Sequence, residues 1–328
     1  MYAKRNYGFV QTFMWSKKPF ILGVVYAILV QFGLKLINFS FYIPWQPISV
    51  IGIAVAFYLG FKNNSSYDRT WEARKIWGGI VNNSRTFGAA VVSFVQGEGA
   101  KDVQRELIYR HIAWLITLRH QLRLSRPWEH TELRLPGVVS ESNCADYKDL
   151  LDRDLARYIE KSELEGIKSK SNSAVHIMAN QSRRLQELRD LDYYEDFRHI
   201  EFHSLLANLY SEQGRAERIK NFPFPRQYAS TALWLTIVFA AFVPFGMTTM
   251  FDHDDVLGYF IMPFLSGLVI WIFFLMEKIG DYSENPFEGS YNDVPITSIT
   301  RGIEIDLLEM IDDENVPSTT PTEQGFLL

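Results

Sequence analysis

Four apolar segments constrain what this chain can fold into more than any other feature. They span residues 19–39, 47–61, 229–250 and 256–276. Three of them have about the 20 residues that a helix needs to cross the hydrocarbon core of a bilayer. The second is shorter, but helical character continues to Phe94, so this helix is expected to leave the membrane as one rod. The sequence therefore predicts four membrane-spanning helices.

The average composition conceals these segments. The mean hydropathy of −0.07 is that of an ordinary soluble protein, because a charged middle region balances the apolar ends. Cys144 is the only cysteine, which excludes a disulfide framework and a cysteine-ligated zinc site. A net charge of −5 gives no electrostatic reason to expect a nucleic-acid partner.

Positive charges flank the segments on one side only. They are Lys4, Arg5, Lys17, Lys18, Lys62, Lys220, Arg226 and Lys278. The short connections 40–46 and 251–255 contain no Lys or Arg. Since Lys and Arg in short loops stay cytoplasmic, both termini and the long middle are predicted to face the cytoplasm. A signal peptide is rejected, because residues 19–39 are long for the apolar h-region of one and no small-x-small cleavage site follows.

The region between the second and third apolar segments has helical periodicity. Residues 103–126 alternate an apolar face with an arginine-rich face, and residues 173–212 read as a similar helix. No strand alternation of any length is present, so the predicted fold class is an all-α membrane protein. We divide it into 1–62 with helices 1 and 2, a helical cytoplasmic region 63–228, helices 3 and 4 at 229–277, and a C-terminal segment 278–328. The tail from Val316 is expected to be disordered or draped over the surface.

Motifs that could carry chemistry are few. His199 and His203 lie one helical turn apart, but the intervening glutamate has the wrong position for a zinc protease and no third ligand is indicated. Residues 97–99, Gly-Glu-Gly, are predicted to form a turn, and residues 67–75 resemble an exposed helix face with i,i+4 ion pairs. No nucleophile has a matching base, and no Gly-rich loop follows a strand. The sequence predicts no enzyme, no cofactor and no metal site.

The second apolar segment carries a stripe of large side chains. Ile53, Phe57 and Phe61 recur every four residues and so share one helix face, with small residues between them. Such a stripe is typical of helix packing. It is also typical of a hydrophobic constriction, if several copies point it at a shared axis.

Two stretches resemble a known family. Residues 52–78, GIAVAFYLGFKNNSSYDRTWEARKIWG, closely resemble the second-helix signature of the prokaryotic bestrophin homologues, and Asn285-Pro286-Phe287-Glu288 resembles their post-membrane motif. The resemblance extends over residues 1–310. It implies a homopentameric, barrel-shaped ion channel in the bacterial inner membrane, with one axial pore.

The resemblance also implies two constrictions. The neck would be formed by Ile53, Phe57 and Phe61, or one turn earlier by Ser49, Ile53 and Phe57. A cytosolic aperture would be formed by Ile200, and residues 199–203 would then bend in the exit vestibule. The implied partners are copies of the chain itself, the lipid bilayer and permeating monovalent ions.

The chain departs from animal bestrophins after the Asn-Pro-Phe motif. Their dense acidic run, which helps to bind calcium, is replaced here by Glu288 and Asp293 with uncharged residues between them. Calcium prefers about six to eight oxygen ligands, so calcium gating is not expected. The connection 251–255 carries Asp252, Asp254 and Asp255 at the expected outer mouth. These charges favour monovalent cations, with an anion channel or a non-conducting membrane-anchored scaffold as alternatives.

Overall fold

The computed structural model describes residues 1, 6–36, 43–130, 144–250, 256–290, 292–321 and 326–327. Ten helices form its regular structure: α1 (Phe9–Leu36), α2 (Trp45–Phe94), α3 (Ala100–Arg123), α4 (Cys144–Leu155), α5 (Lys161–Lys168), α6 (Ser173–Asp190), α7 (Asp196–Asn221), α8 (Arg226–Met247), α9 (Val256–Asp281) and α10 (Ile296–Met310). Within these ranges no β-sheet is present. Four helices, α1, α2, α8 and α9, are long and apolar enough to cross a membrane. The all-helical fold and the four apolar candidate spans are therefore confirmed.

The chain divides into two compact units. The apolar unit comprises Lys4–Asp68 and Pro223–Glu284, and the polar unit comprises Met1–Ala3, Arg69–Phe222 and Asn285–Leu328. Helix α2 runs from one unit into the other, as expected of a single rod. At 1.5 Å per residue, its 50 residues extend over about 75 Å.

Helices α1 and α9 of the apolar unit accommodate prolines through polar side chains of the neighbouring helix. Pro19 lacks the N–H that would bond to the Trp15 carbonyl, and Lys278 donates to that oxygen instead at 2.9 Å. Pro263 likewise frees the Tyr259 carbonyl, which accepts a hydrogen bond from Gln31 at 3.3 Å. Both helices therefore pass through their prolines with these carbonyls hydrogen-bonded.

The polar unit is built around a large core. Its biggest fully buried side chains are Trp77, Phe87, Trp114, Phe202 and Phe287. His111 stacks on Phe87 with ring centroids 4.8 Å apart, and burial lowers the pKa of its imidazole to about 3. The ring is therefore neutral at physiological pH and packs as an aromatic core residue.

Two short breaks shape this unit. The predicted Gly-Glu-Gly turn is confirmed, because Gly97 and Gly99 have φ of 109° and 72°, which favour glycine. The prediction of one helix over 173–212 is wrong. The chain leaves the helix after Asp190, and Asp192 adopts a left-handed conformation with φ of 59° before α7 begins. Asn and Asp tolerate that conformation better than other non-glycine residues, so the break needs neither glycine nor proline.

The C-terminal segment contacts the rest of the polar unit at Asp313 and at Phe326 and Leu327. Asp313 is buried and accepts hydrogen bonds from Arg157 at 2.9 Å and from Tyr109 at 2.5 Å. Phe326 is also buried, and the Leu327 amide donates to the Met1 carbonyl at 2.8 Å. Within the tail predicted from Val316, the draped alternative is therefore correct for Phe326 and Leu327.

Candidate functional site

One face of α2 in the apolar unit exposes large apolar side chains. In the single chain, Ile53 is 70% exposed, Phe57 69% and Phe61 60%. The rings of Phe57 and Phe61 meet edge to face, with centroids 4.6 Å apart. No other part of the described chain covers this stripe, although burying such residues is strongly favourable in water. The stripe is therefore available to other copies of the chain, to lipid or to a pore.

The opposite face of α2 is packed against the rest of the apolar unit. Val55 and Leu59 are fully buried there. A methyl group added to Gly52 would lie 2.8 Å from the ring of Phe239 in α8, so the two helices are in close contact at this level. Since one face of α2 is held, the direction of the exposed stripe is determined by the packing of the chain itself.

A buried ion pair holds α2 immediately beyond the stripe. Lys62 follows Phe61, and its side chain is 1% exposed; its ammonium lies 2.8 Å from a carboxylate oxygen of Glu277 and 3.6 Å from one of Asp281, both in α9. Next to the pair, a methyl group on Gly280 would clash with the Asn63 side-chain oxygen. Charge pairing and close packing thus join α2 to α9 at this level.

Ser49 has a different environment from Ile53. It is only partly exposed, and its hydroxyl donates to the Gln46 carbonyl of its own helix at 2.7 Å. The three residues of the first register all have much larger exposed apolar surfaces. This contrast favours Ile53, Phe57 and Phe61 as the members of a constriction.

The exposed face of α2 becomes polar beyond Phe61. Asn64 and Asp68 are both exposed. Seven residues make nearly two helical turns, so Asp68 stands on the same face as Phe61. Between Trp45 and Asp68, the only charged residues are Lys62, which is buried, and Asp68. Among the described residues, no hydrogen bond or ion pair involves the Asp68 carboxylate.

Residues 69–75, which carry α2 into the polar unit, bind another helix. Arg69 donates to the carbonyls of Ile219 and Phe222, at 3.0 Å each. Glu72 accepts from Arg218 at 2.6 Å. Of the charged residues predicted to pair within α2, Arg69 and Glu72 therefore bond to the end of α7 instead.

The predicted aperture residue lies on α7 of the polar unit. Ile200 is 65% exposed, and Phe197, one turn earlier, is 83% exposed. The prediction of a bend at residues 199–203 is wrong, because α7 runs as one helix through both histidines. The His199 ring lies parallel to that of Tyr194, with centroids 6.2 Å apart, so local aromatic packing accounts for it.

The Asn-Pro-Phe motif forms a buried turn in the polar unit. Phe287 lies in the core, and the Pro286 carbonyl accepts a hydrogen bond from the Val294 amide at 3.1 Å. The Asn285 amide donates to a carboxylate oxygen of Glu288 at 3.3 Å. The motif thus brings the two acidic residues of this segment, Glu288 and Asp293, inside the unit, where both are buried.

Both carboxylates already accept hydrogen bonds from other groups of the protein. Asp293 accepts hydrogen bonds from Arg123 at 2.9 Å and from the Gly289 amide at 2.6 Å. Glu288 accepts from the His130 amide at 3.1 Å, and its other oxygen lies 3.3 Å from the His130 ring. Burial raises the pKa of Glu288, while the bond to His130 opposes this rise. The Arg123 guanidinium is bonded to a carboxylate oxygen of Asp293 that a bound cation would need as a ligand.

No group of three or more His, Cys, Asp or Glu side chains that could hold a metal ion occurs in the described part of the chain. The predicted outer-mouth charges Asp252, Asp254 and Asp255 lie outside the described residues.

Sequence reasoning missed two residues near the stripe. It used Lys62 only as a flanking positive charge, and it grouped Asp68 with an exposed ion-paired face. The pairing of Lys62 with Glu277 joins positions 215 residues apart, which no local pattern reveals. The spacing of Asp68 from Phe61, by contrast, is visible in the sequence.

Comparison with known proteins gives a consistent result. The sequence model described as Bacterial/Fungal Bestrophin protein matches residues 16–309, which confirms the resemblance noted from the motifs. The voltage-dependent anion channel-forming protein YneE of Escherichia coli O157:H7 is 26% identical over 298 residues, which cover 88% of this chain and 87% of that protein. A protein of the same description from Ralstonia nicotianae is 28% identical over 296 residues, covering 87% and 86% of the two chains. A bacterial bestrophin homologue from Klebsiella pneumoniae shares the fold with a TM-score of 0.75 at 22% identity, over 90% of this chain and 98% of that one.

Proposed function

This chain belongs to the bacterial and fungal bestrophin family of ion channels, and from that premise we propose that five copies form a passive channel with one axial pore. The exposed face of α2 lines the pore in each copy, and Ile53, Phe57 and Phe61 form its neck. The observation that carries this proposal is the exposed apolar stripe opposite a packed helix face. A pore explains why the stripe points away from the core of its own unit. Ile200 is proposed to form the second constriction.

We propose that anions permeate this channel. The relatives from Escherichia coli and Ralstonia nicotianae carry names that describe anion channel-forming proteins. The cation preference predicted from sequence rested on Asp252, Asp254 and Asp255, which are outside the described residues. The names of the relatives are therefore the better support. The channel is proposed to lie in the bacterial inner membrane with both termini cytoplasmic, as the flanking Lys and Arg residues indicate.

Purified protein reconstituted into planar bilayers tests the proposal. We expect a chloride-dependent current. In asymmetric NaCl, its reversal potential should be shifted from zero toward the chloride equilibrium potential. The detergent-solubilised complex should have the mass of five chains of 38.1 kDa after detergent is subtracted. A monomeric particle without flux would instead favour the membrane-anchored scaffold.

Calcium is expected to leave the current unchanged. Asp293 is bonded to Arg123 and Glu288 to Asn285 and the His130 amide, so neither offers the set of free oxygens that calcium requires. The measurement is open probability in bilayers while free calcium is stepped from a chelator-buffered solution to millimolar levels. A reversible change of open probability that magnesium does not reproduce would contradict this expectation.

A further inference from the structure

The charges on the pore-facing side of α2 are asymmetric. Within the part of α2 that belongs to the apolar unit, Lys62 is the only cation and Asp68 the only anion. The Lys62 ammonium points away from the stripe and is paired with Glu277 at 2.8 Å. The Asp68 carboxylate is on the stripe side and exposed. Within this part of α2, the face that leads away from the neck therefore presents one negative charge and no positive charge.

The position of Asp68 relative to the neck follows from helix geometry. Ile53, Phe57, Asn64 and Asp68 all fall within one sector of α2 at 100° per residue. Asp68 is the first charged residue on this sector after Phe61, about 10 Å farther along the helix axis at 1.5 Å per residue. An ion that has passed the apolar stripe would meet this carboxylate next.

We infer that Asp68 is a specificity-determining residue, whose ring of carboxylates at the inner end of the neck limits the anion preference of the channel. This inference rests on the proposed pore, because only an assembly around an axis brings the carboxylates together. Rings of acidic side chains favour cations and repel anions in pores. A low-dielectric wall beside them strengthens their field. Asp68 would thus oppose the anion permeation proposed above and limit the chloride-to-sodium permeability ratio.

Charge removal tests the inference. In asymmetric NaCl, Asp68→Asn should move the reversal potential toward the chloride equilibrium potential, with the chloride-to-sodium permeability ratio rising by about twofold to tenfold. The shift should be largest at low salt, because the screening length falls from about 10 Å at 0.1 M to about 3 Å at 1 M. Asn64→Asp adds a carboxylate to the same sector and should move the reversal potential in the opposite direction. This second variant keeps the test decisive if Asp68→Asn does not fold.

The matched control is Glu98→Gln. It removes the same charge per chain from an exposed residue in the turn after α2, outside the stripe. Its reversal potential should equal that of the wild type. An unchanged reversal potential in both Asp68→Asn and Asn64→Asp, with wild-type current present, overturns the role of Asp68 and leaves the channel proposal intact. Absence of any wild-type current overturns the channel proposal, and the role of Asp68 with it.

Discussion

Alanine at Ile53, Phe57 and Phe61 together is expected to raise the single-channel conductance by a factor of several. The three side chains form a continuous apolar surface, and a narrow apolar constriction resists ions because water leaves it readily. Each phenylalanine contributes roughly 150–250 Å² of apolar area, so truncation both widens the neck and lowers its tendency to dewet. Conductance of the triple variant and of the wild type in planar bilayers, in symmetric KCl, is the measurement.

A control separates the neck from apolar surface in general. Leu22, Leu29 and Phe260 are exposed to a similar degree on α1 and α9 of the same unit, at 67%, 63% and 71%. Replacing these three with alanine removes comparable apolar area without touching α2. This control should leave the conductance unchanged. Equal conductance of the wild type and the α2 triple variant would exclude the stripe as the constriction.

The four spans were predictable because membrane insertion depends on local composition and length. About 20 apolar residues in a row suffice to cross a bilayer, and nothing distant in the chain alters that requirement. The stripe on α2 was predictable for a similar reason, since helical spacing assigns Ile53, Phe57 and Phe61 to one face. Whether the stripe packs against another helix or lines a constriction depends on how the other face of α2 is packed. That packing involves Phe239 and Glu277, which come from distant segments.

The errors arose where distant groups or a special backbone conformation intervened. Glu72 pairs with Arg218 of α7, although its own helix offers basic residues at suitable spacing. The break between α6 and α7 depends on the left-handed backbone of Asp192, which lacks the glycine or proline that usually announces a break. In each case the local sequence was compatible with the simpler prediction.

Lys62→Met is expected to lower the free energy of unfolding by about 3–5 kcal/mol, since removing the ammonium leaves the Glu277 carboxylate buried without its cation. Glu277 has 11% of its side chain exposed and lies 2.8 Å from Lys62, so little solvent can replace the lost ammonium. Methionine has nearly the length of lysine, which keeps the change in packed volume small. The measurement is the denaturation midpoint of the detergent-solubilised protein, followed together with its melting temperature.

Two further variants decide whether charge pairing is the cause. Lys62→Met combined with Glu277→Leu removes both members of the pair, and apolar replacements of a buried pair are often neutral, so most of the loss should be recovered. Arg85→Met breaks a comparable 2.7 Å pair with Asp306 in which Arg85 is 52% exposed, and it should cost less than about 1 kcal/mol. A Lys62→Met protein as stable as Arg85→Met would mean that α2 is held by packing alone. A large loss that the double variant recovers would mean that the Lys62–Glu277 pair holds α2, and with it the orientation of the stripe, at the end of the neck.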